Sequence, residues 1–259
     1  MDLQLAGRRT LVTGASHGIG LEIARVLAQE GGALAICARD QDRLTEAAGQ
    51  LSQLGGTVFH QPVDVTEGDQ LAAFVAAAAN ELGGLDGVVA NAGGSSGGAL
   101  GESTRADWRD TFELNVGHAA ELLRTASPHL LRSTSPAAVL ISSISGSKPA
   151  PRAQYGASKA ALIYLAAALA RELSPHHIRV NAVSPGSILF PGGGWDSLRL
   201  SDPERFQGFL DRDLPSGRLG SAGEVAQVVA FLLSPVASWV NGANIAVDGA
   251  QGRPSSAGW

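Results

Sequence analysis

The feature that most constrains this chain is an alternation of short apolar runs with longer segments of helical period. Thr10-Leu11-Val12 leads into a glycine-rich turn, Gly14 to Gly20, and the segment from Ile19 to Glu30 then sets Ile23, Val26 and Leu27 on one helical face. Ala33 to Ala38 and Thr57 to Val63 repeat the pattern, followed by helical segments through Leu44, Leu51 and Leu54 and through Leu71, Phe74 and Val75. Gly87 to Ala90, Ala138 to Ser142, Ile178 to Val183 and Ala243 to Val247 supply four further strands, with long helical segments at Leu114 to Leu131 and Tyr155 to Leu173. Strands covered on both faces must be apolar nearly throughout, as Val139-Leu140-Ile141 is, and strands that alternate with helices run parallel. The predicted class is therefore α/β, a doubly wound sheet of seven mainly parallel strands flanked by helices on both faces.

No linker, repeat or low-complexity stretch divides the 259 residues, so a single domain spanning 1–259 is expected. The one long interruption, Ser187 to Ser221, is rich in Gly and Pro and precedes a helix at Ala222 to Leu233. Ligands of open α/β sheets bind beyond the carboxyl ends of the strands, which makes this insertion a candidate substrate loop or lid. The 24 acidic and 19 basic side chains leave a net charge of -5 with no basic run. Neither nucleic acid nor a membrane surface is the expected partner, and a small molecule is. The single cysteine, Cys37, has no partner for an internal disulfide, and no His/Cys cluster has metal-ligand spacing, so no metal site is expected. A cytoplasmic location follows as an expectation. The opening MDLQLAGRRT lacks a long apolar core and no later apolar run reaches about 18 residues, so neither leader nor membrane span is expected.

TGASHGIG, Thr13 to Gly20, ends the first strand and opens the first helix. Its glycines let the backbone turn sharply beside a ligand, and the free N–H groups at a helix N-terminus favour a pyrophosphate. The spacing G-x-x-x-G-x-G is neither G-x-G-x-x-G nor a P-loop, and by itself a glycine turn could serve only as a tight turn. Further along, Tyr155 and Lys159 stand at i and i+4 of a predicted helix and so share one face. A phenol with an ordinary pKa of about 10 becomes a useful acid-base group near neutrality if an adjacent ammonium lowers it.

These motifs, with Asp64-Val65, Asn91-Ala92-Gly93, Asn115, Ser143, Tyr155-Gly-Ala-Ser-Lys159, Asn181 and Pro185-Gly186 in order, resemble the short-chain dehydrogenase/reductase family from about Leu5 to Gly249. The resemblance implies a Rossmann-like fold and a nicotinamide-dependent oxidoreductase that moves a hydride between cofactor and a carbonyl or alcohol. It further implies that Gly14, Ser16, Gly18, Ile19 and Gly20 line the pyrophosphate, Asp64 and Val65 the adenine, and Asn91 the adenine ribose, with Ala92 and Gly93 also at the cofactor. Pro185, Gly186 and Ile188 are assigned to the nicotinamide by the same resemblance. Ala38 holds the position that family members of the NAD type give to Asp, and Arg39 follows it. Loss of a carboxylate and gain of a guanidinium both favour a 2'-phosphate, so NADP(H) is the expected cofactor. His17 stands where NADP-type members often carry a second basic residue. If Asp40 rather than Ala38 meets the ribose, the preference reverses to NAD(H).

By the resemblance, Tyr155 is the proton donor, Lys159 tunes it and holds the nicotinamide ribose, and Asn115 kinks its helix and keeps a water in the proton relay. Ser143, which would bond the substrate oxygen, lies twelve residues before Tyr155 where the family commonly has thirteen. Ser142 and Ser145 are competing assignments, and Ser143 is preferred because Ser-x-x-Gly146 keeps the local motif. His118, one turn beyond Asn115, is read as a surface or capping histidine in preference to one that approaches the site, and His176-His177 as a pair at a helix end. Gly93 to Leu100 and Ser187 to Ser221 are expected to enclose the substrate, with Gly192-Gly193-Gly194 as a hinge and Trp195 either lining the wall or anchoring the lid. Ala-rich helices, with Ala160, Ala161, Ala166, Ala167 and Ala170, expect burial within the core or against another subunit, and the resemblance implies that they pair copies in a homotetramer or homodimer. The tail 253–259 could be disordered or cover a neighbour's site. The sequence thus favours an NADP(H)-dependent ketone or 3-oxoacyl reductase over an NAD-dependent alcohol dehydrogenase or a non-catalytic dinucleotide-binding regulator.

Overall fold

In the computed structural model of the chain, which describes residues 2–252, the alternation resolves into strands and helices close to the predicted bounds. The first half contains β1 (Arg9–Thr13), α1 (Gly18–Gln29), β2 (Ala33–Ala38), α2 (Gln41–Ser52), β3 (Val58–Pro62), α3 (Gly68–Glu81) and β4 (Gly87–Ala90). Then come α4 (Arg105–Phe112), α5 (His118–Leu130), β5 (Ala137–Ile141), α6 (Ala153–Leu173) and β6 (Arg179–Pro185). The remainder comprises β7 (Ile188–Leu189), α7 (Gly194–Ser201), α8 (Pro203–Asp213), β8 (Gly220–Ser221), α9 (Ala222–Leu233) and β9 (Asn244–Val247). Seven strands form one sheet in the order β3-β2-β1-β4-β5-β6-β9, all parallel, and β7 pairs with β8 separately.

The period of two along each strand sorts side chains between two cores. Val12, Ile36, Val89, Val139 and Val183 pack with α1, α2 and α9 on one face, while Leu11, Cys37, Val88, Leu140 and Ala182 pack with α3, α5 and α6 on the other. Each buried Val, Leu or Ile contributes roughly 1.5–3 kcal/mol, so a one-residue slip in any central strand would forfeit several such contributions. Strand order reverses between β2-β1 and β4-β5, and the carboxyl ends of β1 and β4 open the crevice at which doubly wound sheets bind ligands.

The helix predicted from Leu114 to Leu131, with a kink at Asn115, starts in a π-turn at Glu113–Gly117 and continues as α5. The cause is local: Asn115 Nδ2 donates to the Thr111 carbonyl at 2.7 Å, competing with the backbone N–H of the regular ladder. The segment 187–221, whose Gly and Pro content suggests a loop, carries α7 and α8 and a small core of its own, with Trp195 stacked on Phe209 at 4.3 Å between centroids. Asp202 starts α8 by accepting from Arg205 N at 3.0 Å, with Pro203 just inside the helix. Among the described residues no helix is long and apolar enough to cross a membrane. The expectations for 253–259 lie outside the described residues.

Candidate active site

The crevice is built from the glycine turn upward. Gly14 and Gly18 have φ of +66° and +59°, the left-handed region that a side chain would strain. A Cβ on Gly20 would lie 2.3 Å from both the Gly14 carbonyl oxygen and Asn91 Nδ2. That closeness is structural: Asn91 Nδ2 donates to the carbonyls of Thr13 and Gly14, each at 3.0 Å, and Thr13 Oγ1 accepts from the N–H groups of Asn91 and Ala92. The ends of β1 and β4 are thereby tied across the crevice. Asn91, expected at a ribose, spends its amide nitrogen on this brace.

The resulting cleft has a volume of about 940 Å³ and is lined by Gly14, Ser16, His17, Gly18, Ile19, Gly20, Ala38, Arg39, Asp64, Val65, Asn91, Ala92, Gly93 and Tyr155. Lys159, Pro185, Gly186 and Ile188 line an adjoining space of about 230 Å³. A dinucleotide suits these walls: the N-cap of α1, His17, makes no side-chain cap hydrogen bond, so the first N–H donors of that helix are left for an anion. The rim that would meet the ribose holds more than the sequence suggests. Asp40 caps α2, accepting from Arg43 N at 3.1 Å, and its other oxygen lies 3.5 Å from Arg43 Nε. Arg43, unassigned from the sequence, lines the cleft beside Arg39; its signal was the Asp-x-x-Arg spacing at a helix start. Phe190 also lines the cleft and sits against the turn, where a Cβ on Gly18 would lie 3.0 Å from its ring. Phe190 thus brings the start of the segment 187–221 to the wall of the cleft, with Gly192 at φ +71° two residues on.

At the inner end α6 presents Tyr155 and Lys159 together, with Nζ 5.6 Å from the phenol ring centroid. Lys159 Nζ donates to the Ile141 carbonyl at 2.9 Å. The three serines separate by partner. Ser142 Oγ is buried and donates to the Lys159 carbonyl at 2.7 Å. Ser143 bonds the Tyr155 side chain, accepts from Ser145 N at 3.1 Å and faces a second cavity. Gly146 is required because a Cβ there would lie 2.7 Å from the Lys159 backbone, which explains the Ser-x-x-Gly pattern.

Burial decides the electrostatics. It pushes the Lys159 ammonium down to about 7 and the Tyr155 phenol above its ordinary value, with the Ser143 hydrogen bond only partly offsetting the latter. Asn115 is buried and has no spare amide hydrogen, since Nδ2 donates to the carbonyls of Gly94 and Thr111, each at 2.7 Å. Any water it holds must donate, either to Oδ1, which accepts from Gly94 N at 3.3 Å and has a second lone pair, or to a main-chain carbonyl of the π-turn.

His118, expected at the surface, is 1% exposed. Its Nδ1–H donates to the Leu114 carbonyl at 2.5 Å, which leaves Nε2 to accept from Thr13 Oγ1 at 3.3 Å. Burial, with the nearby Lys159 charge, pushes its pKa down to about 4, so it stays neutral. Thr13 lies far away in sequence, and no local pattern announces the pairing.

The second cavity, about 390 Å³, is lined by Ser95, Ser143, Ile144, Arg152, Ser187 and Trp195 among others, and shares Tyr155 with the dinucleotide-sized cleft. Trp195 lines this cavity, and its stacking on Phe209 ties α7 to α8 within the segment 187–221.

Residues 14–250 match a family model described as enoyl-(acyl carrier protein) reductase. Isoepoxydon dehydrogenase patN of Penicillium expansum is 35% identical over 254 residues, 95% of each chain. Among solved structures, L-sorbose reductase from Gluconobacter frateurii complexed with NADPH and L-sorbose superposes with a TM-score of 0.90 at 33% identity, covering 97% of this chain and 98% of that one. A 7α-hydroxysteroid dehydrogenase complexed with NADH and 7-oxo glycochenodeoxycholic acid gives a TM-score of 0.89 at 31% identity, covering 96% of each.

Proposed function

Because the chain belongs to the short-chain dehydrogenase/reductase family, whose oxidoreductases act on CH–OH and C=O groups, we propose that it is an NADP(H)-dependent reductase of a ketone or 3-oxoacyl compound. The observation that carries this reading is Tyr155, the one residue among those described that lines both the large cleft and the smaller cavity. When bound, the nicotinamide dinucleotide supplies or accepts the hydride and, oxidised, brings a positive charge. The glycine turn with Ser16 and Ile19 holds its pyrophosphate, Asp64 and Val65 flank the adenine, and Lys159 with Pro185, Gly186 and Ile188 surrounds the nicotinamide end.

The chain's own residues then handle the proton. Tyr155 Oη gives a proton to the substrate oxygen as it becomes an alcohol, and takes one in the reverse direction. Ser143 Oγ holds the same oxygen in line with Tyr155, to which it is already bonded. Lys159, poised near 7, replenishes the Tyr155 proton. Asn115 fixes the π-turn and the Gly94 backbone on the substrate side. Trp195 and Ile144 shield the cavity from water. A buried acid-base pair of this kind is unneeded in a non-catalytic regulator. Work in the cytoplasm as a homotetramer, from a single domain whose 187–221 segment acts as lid, completes the proposal.

Support for NADP(H) is the rim. Ala38 offers no carboxylate, Arg39 and Arg43 are two exposed guanidinium groups, and Asp40 is engaged by the start of α2. The NADH-bound relative keeps NAD(H) as the second reading. Parallel titrations with NADPH and NADH, read by nicotinamide fluorescence, test the choice. Tighter NADPH binding is expected, weakened about five- to tenfold in Arg39→Ala, the range for an exposed charge-assisted contact, with NADH little changed. Tighter NADH binding would refute it. Tyr155→Phe should bind NADPH normally and lose turnover; unchanged turnover would remove Tyr155 from the reaction.

A further inference from the structure

Resting on the reading that Tyr155 serves a carbonyl or alcohol in the smaller cavity, we propose that the substrate carries a carboxylate and that Arg152 binds it. Among the described residues the cavity's lining is serine, glycine and apolar side chains apart from Tyr155, and Arg152 is its only formally charged member. A single cation in a neutral cavity of about 390 Å³ sets the sign of what can be held there.

The guanidinium is available. Its Nη1 donates to Ser95 Oγ at 3.1 Å, and Arg152 takes part in none of the ion pairs among the described residues. The nearest cation in sequence behaves differently: Lys148 is neutralised by Asp248 at 2.8 Å and is bonded to the Gln251 carbonyl. Arg152 also sits at φ 64° and ψ 76°, a left-handed conformation that a long side chain rarely adopts, and as N-cap of α6 its side chain makes no capping bond. Glycine or asparagine would hold that backbone with less strain and would cap at least as well. An arginine kept there without either benefit is used for its head group, the kind of strained position that clusters at functional sites.

Both ends of the anchor are fixed relative to the proton donor. The Arg152 carbonyl accepts from Tyr155 N at 3.0 Å and Gly156 N at 3.2 Å, which joins it to the first turn of α6. Ser95 lies in a loop fastened by Gln154, whose Nε2 donates to Ser96 O at 2.8 Å and Gly98 O at 3.2 Å. A substrate whose carboxylate meets Arg152 and Ser95 must therefore place its reacting oxygen at Tyr155 and Ser143 across a set span, which selects chain length. Carboxylate is favoured over phosphate because one planar guanidinium pairs with it in a fork, and the cavity supplies no second cation for a dianion.

The test compares oxo acids of increasing length, from levulinate upward, with their methyl esters, and dihydroxyacetone phosphate with dihydroxyacetone, using NADPH-loaded protein. Parent protein should favour an acid over its ester in kcat/KM. That ratio should fall about ten- to hundredfold in Arg152→Gln, the usual worth of a hydrogen-bonded charge, and partly recover in Arg152→Lys. Arg152→Asn, which suits the left-handed backbone, guards against misfolding as the cause. Binding is read separately as protection against thermal unfolding by the same acids, which should be lost in the Arg152 variants. Reduction of neutral ketones with no preference for acids, or acid protection that survives Arg152→Gln, overturns the proposal while leaving the oxidoreductase reading intact. Acid protection that depends on Arg152 without oxidation of NADPH by any compound would do the reverse. Preference for the phosphate over both acid and neutral compounds would overturn the assignment to carboxylate.

Discussion

Replacing the buried lysine by methionine should make the protein more stable while disabling it. Lys159 is 3% exposed, and burial lowers its pKa from 10.5 to about 7. A basic group depressed in the folded state binds fewer protons there than in the unfolded chain between the two values, so stability rises with pH across that window. Below about pH 7 both states carry the charge and the full burden applies, near 5 kcal/mol from the size of the shift. Methionine removes the charge while keeping a long apolar stem. It forfeits the bond to the Ile141 carbonyl, worth about 1 kcal/mol, and leaves that group short of a donor. The net expectation at pH 6 is a gain of about 2–3 kcal/mol. At pH 9 the folded parent is mostly neutral at this position, so the gain should be smaller by about 2–3 kcal/mol and close to zero. Urea unfolding of Lys159→Met and parent at both pH values measures this directly, and the difference between the two cancels every other titration they share. A stability difference that is independent of pH, or one that grows toward pH 9, would refute the placement of a desolvated ammonium beside Tyr155. Loss of turnover without any gain in stability at pH 6 would do so as well.

At the opposite end of the sheet, Asp86 accepts from Arg9 N, Nε and Nη2 and from Ser133 Oγ, which hold its pKa down to about 2. Asp86→Asn should therefore cost about 2 kcal/mol above pH 4, a difference that disappears as the pH falls through 2, with kcat unchanged; equal loss at all pH values in acid unfolding would contradict it. In Gly93→Ala the new Cβ would sit 2.8 Å from Asn115 Oδ1 and 3.0 Å from Lys159 Nζ, so the chain should fold yet lose about tenfold or more in kcat, as small misplacements of reacting groups do; wild-type kcat would show that neither group is displaced. Tyr164 is 77% exposed on α6 beside the exposed Ala160, Ala167 and Ala168. If this face joins copies in a homotetramer, Tyr164→Glu should lower the mass measured by light scattering, whereas a parent protein of one-chain mass at all concentrations would end that proposal.

The sheet was legible because strands buried on both faces leave no choice of residue: Ala33–Ala38, Gly87–Ala90 and α9 at Ala222–Leu233 stand where the apolar pattern put them. The glycine turn and the Tyr155–Lys159 pair were legible because each is confined to one turn of backbone. What stayed hidden depends on contacts across the sequence. His118 is buried by Thr13, 105 residues away, and its polar character pointed to the surface. Trp195, Phe209, Leu210 and Leu214 form a core within 187–221 that the surrounding glycines and prolines masked. The left-handed backbone of Arg152 has no signal at all in its residue type, because arginine is an uncommon choice there.

The two ends of the sheet use charge in opposite ways, and the contrast separates folding from function more sharply than any motif. At the amino ends, Arg9 is matched by Asp86, and Arg179 has its guanidinium on the carbonyls of Ser234 and Val240. Those groups each make two or more hydrogen bonds within the fold, and removing either member leaves a polar atom short of a partner, so they act on stability. At the carboxyl ends, Lys159 has one carbonyl and Arg152 one hydroxyl, although each could donate several more bonds. Under-used donors held at fixed positions are unfavourable for the fold by itself and become favourable only when something else completes them. Variants at the first set should therefore shift unfolding midpoints and leave turnover alone. Variants at the second should impair turnover without loss of stability, and a protein whose Lys159 and Arg152 substitutions destabilised it as those at Asp86 do would carry no site at this end of its sheet.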